Sequence, residues 1–215
     1  MKYSHIIWDW NGTIVDDASL CVEIVNELLQ QYELQQVTLD YYINNFRFPV
    51  KEYYKLIGLP TSSENYRHLS YYFITHYRDR FYQCELQKGI FEVIKQFSNL
   101  GISQSVLSAA SQDDLSKFVS YFSLESYFKL VSGVDHILAN GKGSIASKHI
   151  DFLGIANEDI LLVGDTCHDH EIADSLGVSS VLLSSGHNSK ELLSEVTSSI
   201  LDSAFELPDF ISSWP

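Results

Sequence analysis

Two short apolar runs far apart in the chain each stop at an aspartate, and this pairing restricts the fold more than any other feature. His5-Ile6-Ile7-Trp8 ends at Asp9 and opens the turn Asp9-Trp10-Asn11-Gly12-Thr13. Downstream, Ile160-Leu161-Leu162-Val163-Gly164 ends at Asp165 and runs on into Thr166-Cys167-His168-Asp169. A short continuous apolar run bounded by turn residues reads as a strand buried on both faces, as in a helix-covered parallel sheet. Ligands of such sheets bind beyond the carboxyl ends of the strands, which is where both aspartates fall. The two edges can meet. Asp9, Asp165 and Asp169 would then repel one another unless a hard cation neutralised them, and Mg²⁺, with its preference for carboxylate and phosphate oxygens, suits such a cluster.

The remaining periodicity supports an α/β chain with an insertion. Asp16-Asp17-Ala18-Ser19 reads as a helix start with acids in its first turn, followed by the stripe Leu20, Ile24, Val25, Leu28 and Leu29 to about Tyr32. From there to about Gln87 tyrosines crowd the sequence and the apolar spacing is helical. Residues 16–87 are therefore expected to form a helical unit inserted into the chain. After Gly89 the reading is a helix at 90–99, a strand from Ile102 to Ser108, a helix at 112–122 and a strand from Phe128 to Ser132. A helix at 144–153, a strand at 159–164, a helix at 169–176 and a strand from Ser180 to Leu183 follow. Strands alternating with helices predict a doubly wound parallel sheet, built from residues 1–15 and 88–215. The tail from Leu201 to Pro215 reads equally well as a covering strand or helix.

Composition narrows the partners. The formal charge of −14 disfavours nucleic acid, whose binding draws on lysine and arginine. It also repels a phosphorylated small molecule at long range, so such a ligand must be held by local features: metal, Lys142, and backbone N–H groups at helix starts. No apolar run is long enough to span a bilayer, and the start Met1-Lys2-Tyr3-Ser4 lacks a signal-peptide pattern. Cys21, Cys84 and Cys167 are odd in number and widely spaced, which argues against a disulfide framework. The expectation is a cytoplasmic monomer or homodimer with no membrane partner.

The motifs, taken in order, make the chain resemble the haloacid dehalogenase superfamily of phosphohydrolases, specifically its phosphoglycolate phosphatase-like members with a helical cap. That family's Asp-x-Asp-x-Thr is matched by Asp9-Trp10-Asn11-Gly12-Thr13, and its apolar strand ending in Ser or Thr by Ser105-Val106-Leu107-Ser108. Its lysine is matched by Lys142, ahead of the stretch Ile145 to Leu153, and its Gly-Asp-x-x-x-Asp by Gly164 to Asp169. Lys148 is the rival lysine, but it sits within the amphipathic stretch rather than before it. The resemblance implies a Rossmann-like core with residues 16–87 as cap and a small phosphorylated metabolite as substrate. It implies Asp9 as the nucleophile that becomes an aspartyl-phosphate. Gly12, Thr13, Ser108, the Ala109 N–H and Lys142 would bind the phosphoryl group. Asp9, the Asn11 backbone carbonyl, Asp165 and Asp169 would hold Mg²⁺, with Asp165 a direct ligand and Asp169 acting through water or orienting the lysine. Gly141-Lys142-Gly143-Ser144 is no Walker loop, because position 136 is His and Gly follows the lysine. Cys167, His168 and His170 match no structural zinc spacing.

One position departs from the pattern. Family phosphatases carry at the third place of the first motif an Asp that protonates the departing oxygen; here it is Asn11. An amide has no titratable proton at neutral pH, and general acid–base help is commonly worth about 10²–10⁴ in rate. A phosphatase that finds its acid elsewhere is one reading. A hydrolase of phosphonates or activated phosphates, and a weakly catalytic phosphate-binding protein, are the alternatives. The dehalogenase branch fits less well, since its first motif carries an aromatic at this place. Arg47, Lys51, Arg67, Arg78 and Arg80 are the cations the insertion could turn toward a substrate.

Overall fold

The computed structural model describes residues 2–135 and 142–213, with Ser144 described by its backbone alone. The chain opens with β1 (His5–Trp8) and the short β2 (Val15–Asp16). Four helices follow: α1 (Ala18–Gln31), α2 (Leu39–Asn45), α3 (Val50–Leu56) and α4 (Ser63–Arg80). Next come β3 (Glu85–Leu86), α5 (Ile90–Asn99), β4 (Ser103–Ser111), α6 (Gln112–Tyr121) and β5 (Leu130–Val134). The chain continues with α7 (Gly143–Leu153), β6 (Ile160–Gly164), α8 (Cys167–Leu176) and β7 (Ser179–Leu183). It closes with α9 (Lys190–Leu193), β8 (Ile200–Leu201) and α10 (Leu207–Ser213).

Six strands form one sheet in the order β5-β4-β1-β6-β7-β8, every neighbouring pair parallel. β1 sits in the middle because it is apolar on both faces. Ile6 and Trp8 enter the larger core, where Trp8 stacks on Phe97 of α5 at 6.2 Å, while Ile7 enters the smaller core with Ala146 of α7 and Ile172 of α8. His5 pairs with Ser103 on one side and Ile160 on the other, so β4 and β6 flank β1 in matched register. Strand order runs outward in both directions from β1, and the switch point at its carboxyl end is where a parallel sheet opens a crevice.

Helices α1 to α4 lie between β2 and β3, which pair with each other antiparallel, Val15 with Leu86 and Asp16 with Glu85, apart from the main sheet. The insertion is thus held at its root by a two-stranded ribbon. Its other contacts with the rest of the chain are also specific. Ser189 N–H donates to the Ile43 carbonyl at 2.9 Å, Asn188 Nδ2 donates to the Phe46 carbonyl at 2.9 Å, and Phe48 stacks on His168 at 4.8 Å.

Three sequence expectations need correcting. The expected helix start at Asp16 moves to Ala18, with no acid in the first turn: Asp16 belongs to β2, and Asp17 at the N-cap makes no capping hydrogen bond. The strand expected from Phe128 to Ser132 runs from Leu130 to Val134, because parallel pairing with β4 begins at Ser105 opposite Leu130. β4 continues past Ser108 to Ser111, through a register irregularity between Leu107 and Ser111. The tail supplies both alternatives, the edge strand β8 and helix α10, whose Leu207 and Ile211 are buried. Positions 136 and 141, used to dismiss a Walker loop, lie outside the described residues, as do Met1 and residues 214–215.

Candidate active site

At the carboxyl end of β1 the Asp9 N–H donates to the Val163 carbonyl at 2.8 Å, so the backbone is still paired to β6 where the side chain leaves the sheet. Asp9 Oδ1 accepts from Lys142 Nζ at 2.5 Å. The same ammonium pairs with Asp169 Oδ1 at 2.5 Å and donates to the Leu107 carbonyl at 3.2 Å. All three lysine donors are therefore committed, and Lys142, the N-cap residue of α7, ties β1, β4 and α8 together. The other oxygen of Asp169 accepts from the Asp165 N–H and from the N–H and hydroxyl of Thr166, closing the start of α8.

Asp165 completes the acidic group. Its Oδ1 accepts from the Thr13 hydroxyl at 2.6 Å and its Oδ2 from the His187 N–H at 2.7 Å. Three glycines make room for these acids. A Cβ on Gly12 or on Gly186 would lie 2.2 Å from Asp165 Oδ2, and one on Gly164 would lie 2.3 Å from Asp169. Gly12 also holds φ at +77°, which a side chain would resist.

The residues present fit a hard divalent cation. One oxygen from each of Asp9, Asp165 and Asp169 lies within 4.8 Å of the others, and all three acids are buried. Three carboxylates share one ammonium, so negative charge is in excess where water is scarce. Burial and the neighbouring acids push Asp9 up to about 8, against the pull of Lys142, and burial with Asp169 pushes Asp165 up to about 6. A ligand set made only of oxygens, short of positive charge, is the donor chemistry Mg²⁺ prefers.

Beside this cluster stands a network that the sequence motifs did not reveal. Asn11 Nδ2 donates to Asp17 Oδ2 at 2.7 Å and to the Tyr77 hydroxyl at 2.7 Å. Tyr77 donates its own proton to Asp17 Oδ2, and the Gly12 N–H donates to Asp17 Oδ1 at 2.8 Å. His187 closes the ring, with Nε2 3.1 Å from Asp17 Oδ1 and Nδ1 3.0 Å from the Tyr42 hydroxyl. A carboxylate can only accept, so the amide of Asn11 must point its NH₂ at Asp17. Burial alone would raise the Asp17 carboxyl, yet the charge and hydrogen bond of His187, with donations from Asn11 and Tyr77, carry it below the usual range. The same pairing lifts His187 to about 9 in spite of its burial. A signal for His187 did exist: Ser185-Gly186-His187 follows the apolar strand β7, so its side chain falls on the same sheet edge as Asp9. Asp17 was hidden because acids at a helix start are ordinarily read as caps.

A cavity of about 220 Å³ opens from Asp9, Asn11, Lys142 and Asp169 toward α1, α3 and α4. Ala109 and Ala110 line its floor. Ser108 is buried and its hydroxyl accepts from the Ala110 N–H at 3.1 Å, while Ser111, not Ser108, caps α6. The rest of the wall is mostly aromatic, including Phe46, Tyr54, Phe73 and Phe118. Of the insertion's cations only Arg78 lines the cavity, and it is paired with Asp114 at 2.7 Å. Arg80 is tied to Glu27 at 2.8 Å, Lys51 lies 6.0 Å from the Tyr66 ring, and Arg47 donates to the Asn45 carbonyl. The tempting zinc trio is dispersed: Cys167 Sγ faces the Leu192 carbonyl, His168 Nδ1 faces Glu171 and His170 Nδ1 faces Ser180. Lys148 takes no part in the site's hydrogen bonds described here.

Residues 6–183 match the family model for haloacid dehalogenase-like hydrolases. A curated relative from Caldanaerobacter subterraneus, "Putative pyrophosphatase PpaX", is 21% identical over 84% of this chain and 81% of its own. A crystal structure of a "putative phosphoglycolate phosphatase" from Lactobacillus delbrueckii subsp. bulgaricus superposes with a TM-score of 0.83 at 18% identity, covering 98% of this chain and 99% of that one. A "predicted phosphatase" from Clostridium acetobutylicum superposes with a TM-score of 0.81 at 20% identity over the whole of both chains.

Proposed function

The chain belongs to the haloacid dehalogenase-like hydrolases, and on that footing we propose that it is a Mg²⁺-dependent phosphatase of small phosphorylated metabolites. The observation that carries this reading is Asp9 at the carboxyl end of β1, fixed by Lys142, with Asp165 and Asp169 alongside. The relatives named above point the same way, one as a pyrophosphatase and others as phosphatases.

In this reading Asp9 Oδ attacks phosphorus, the ester oxygen departs, and water later cleaves the aspartyl-phosphate to return the carboxylate. Lys142 orients Asp9 and offsets charge; its ammonium must loosen one present partner to reach a phosphoryl oxygen. The N–H of Ala109, which lines the cavity floor, and the hydroxyl of the buried Ser108 before it would serve as further phosphate donors. Thr13 acts through Asp165, to which its hydroxyl proton is already given. Asp9, Asp165 and the Asn11 carbonyl would hold Mg²⁺, with Asp169 orienting Lys142; the ion would supply electrostatic relief of phosphoryl charge. Residues 16–87 act as a cap that excludes water, with the β2–β3 ribbon as its hinge. Among the described residues no helix is long and apolar enough to cross a membrane.

The deciding experiment is hydrolysis of a phosphate-ester panel with Mg²⁺, with chelator, and with Asp9→Asn protein. Activity that needs both the metal and Asp9 supports the reading; activity that survives either loss defeats it.

A further inference from the structure

We infer that the substrate is a monophosphate ester of a phenol, whose ring fills the cavity under the helical insertion. The inference rests on the phosphatase reading and deepens it. Two independent features converge on this class, one from the chemistry of the floor and one from the lining of the wall.

Around Asn11, where the motif would carry an acid, the described donors are already committed. Both amide hydrogens of Asn11 are spent, on Asp17 and Tyr77. Tyr77 spends its own on Asp17, and both ring nitrogens of His187 are engaged, by Asp17 and Tyr42. The three donors nearest the motif position that would carry an acid are thus committed to each other. An alkoxide leaving group needs a proton as the P–O bond breaks, whereas an aryl oxide does not. In the transfer, Asp9 Oδ forms the new P–O bond, the P–O(aryl) bond breaks, and its electron pair departs on the aryl oxygen, which takes a proton from solvent. Water then cleaves the aspartyl-phosphate to inorganic phosphate.

The wall fits the same group. Val25, Tyr54, Phe73, Ile74 and Phe118 add apolar surface to the cavity that Asp9 and Asn11 line, and Arg78, the cation that the insertion contributes to it, is occupied by Asp114. A sugar or polyol phosphate would set several hydroxyls against the apolar part of this lining, a cost that a ring does not meet. The volume of about 220 Å³ lies below the range common for drug-sized ligands and suits one ring with its phosphoryl group rather than a nucleotide. Two polar atoms of residues in the wall, the Tyr53 hydroxyl and His168 Nε2, are buried with no hydrogen-bond partner among the described residues. Apolar burial also supplies binding that the charge of −14 opposes at long range.

Two measurements test the inference. With Mg²⁺ present, phenyl phosphate should exceed glycerol phosphate in kcat/KM by about 100-fold or more, and pyrophosphate should be poor. Calorimetry with the full chain should show benzylphosphonate binding at least ~10-fold more tightly than methylphosphonate. Ile74→Asp, a substitution on a half-buried position of α4, should reduce the phenyl over acetyl phosphate kcat/KM ratio by roughly 10-fold, since acetyl phosphate shares the good leaving group but not the ring. Equal use of phenyl and glycerol phosphate, or equal binding of the two phosphonates, overturns the inference. If no phosphate ester is hydrolysed, the phosphatase reading fails, and the phosphonate comparison still decides whether the cavity selects a ring.

Discussion

The two walls of the cavity solve opposite problems. On the sheet side the groups around Asp9 are spoken for: Lys142 makes three contacts, Asp169 takes four donors, and Asn11 and His187 close on Asp17 and Tyr77 of the insertion. On the insertion side rings predominate, and the buried Tyr53 hydroxyl has no hydrogen-bond partner among the described residues. A buried charge without a partner is costly, so the sheet side must be assembled completely or not at all. Rings carry no such obligation and can wait for a ligand. The difference teaches where reactivity and where selectivity reside: the sheet side holds a reacting centre rigidly, and the insertion decides what reaches it.

The largest expected effect breaks the sheet side at its centre. Asp9→Asn should reduce phosphate-ester turnover by roughly 10³-fold or more, since an amide is not a competent nucleophile. Turnover by the purified variant, measured beside wild type at saturating substrate, checks it. Phosphonate binding in the cavity should survive better than turnover, because the rings are untouched.

The two downstream acids separate by role. Asp169→Asn removes a buried partner of Lys142 and part of the closure at Thr166, and should cost about 3–5 kcal/mol of stability in chemical denaturation. Asp165→Asn leaves Lys142 paired and should shift the metal requirement of turnover more than it shifts stability. Equal stability losses, or a larger metal shift for Asp169→Asn, would reverse these assignments.

How much of this was legible in the sequence follows from the same contrast. β1, β6 and the positions of Asp9, Lys142, Asp165 and Asp169 could be read because strand-end acids and glycine turns are local signals. The helical character of residues between β2 and β3 was legible from spacing. The pairing of Asp17 with His187 was not, since the two stand 170 positions apart and meet only when the loop after β7 folds over α1. The cavity lining was equally hidden: Val25, Tyr54 and Phe118 read as core residues, and only the packing of α1, α3, α4 and α6 leaves space between them.

A subtler break concerns Asn11. Restoring the family's acid by Asn11→Asp places a carboxylate where the amide now donates to Asp17 Oδ2 at 2.7 Å, so the single variant should lose about 2–3 kcal/mol of stability. The exchange Asn11→Asp with Asp17→Asn keeps one acid and one amide in contact and should recover most of that loss. Thermal melts of the single and exchanged variants decide whether the pair, rather than position 11 alone, sets the chemistry.

A second buried polar chain runs from β1 across β4 to α7 and β5, with Ser105 Oγ 2.8 Å from both His5 Nε2 and His149 Nε2, and His149 Nδ1 2.8 Å from Ser132 Oγ. Burial, with smaller contributions from neighbouring positive charge, lowers both histidines from 6.5 to about 4. The folded state therefore binds fewer protons than the unfolded chain between these values. Stability should be full above pH 6.5, fall as pH drops toward 4, and level off below it, by about 3 kcal/mol for each histidine. His149→Gln should flatten that slope in melts across the interval; an unchanged slope would place the acid sensitivity elsewhere.

The smallest effect probes an exposed ion pair that joins the two walls. Arg78 on α4 meets Asp114 on α6 at 2.7 Å, but the arginine side chain is 44% exposed, so solvent screens the attraction. Exposed pairs are typically worth ~0.2–1 kcal/mol, and Arg78→Ala should lower stability by no more than that. Its consequence should appear instead in substrate use, because Arg78 lines the cavity and its pairing leaves no spare cation on the insertion side. If the wall selects rings, Arg78→Ala should change KM for phenyl phosphate by less than about threefold and leave the preference over glycerol phosphate standing. A rise in KM well beyond that, shared by both esters, would show that Arg78 leaves Asp114 to hold the phosphoryl group, and the insertion would then be a charged clamp rather than an aromatic wall.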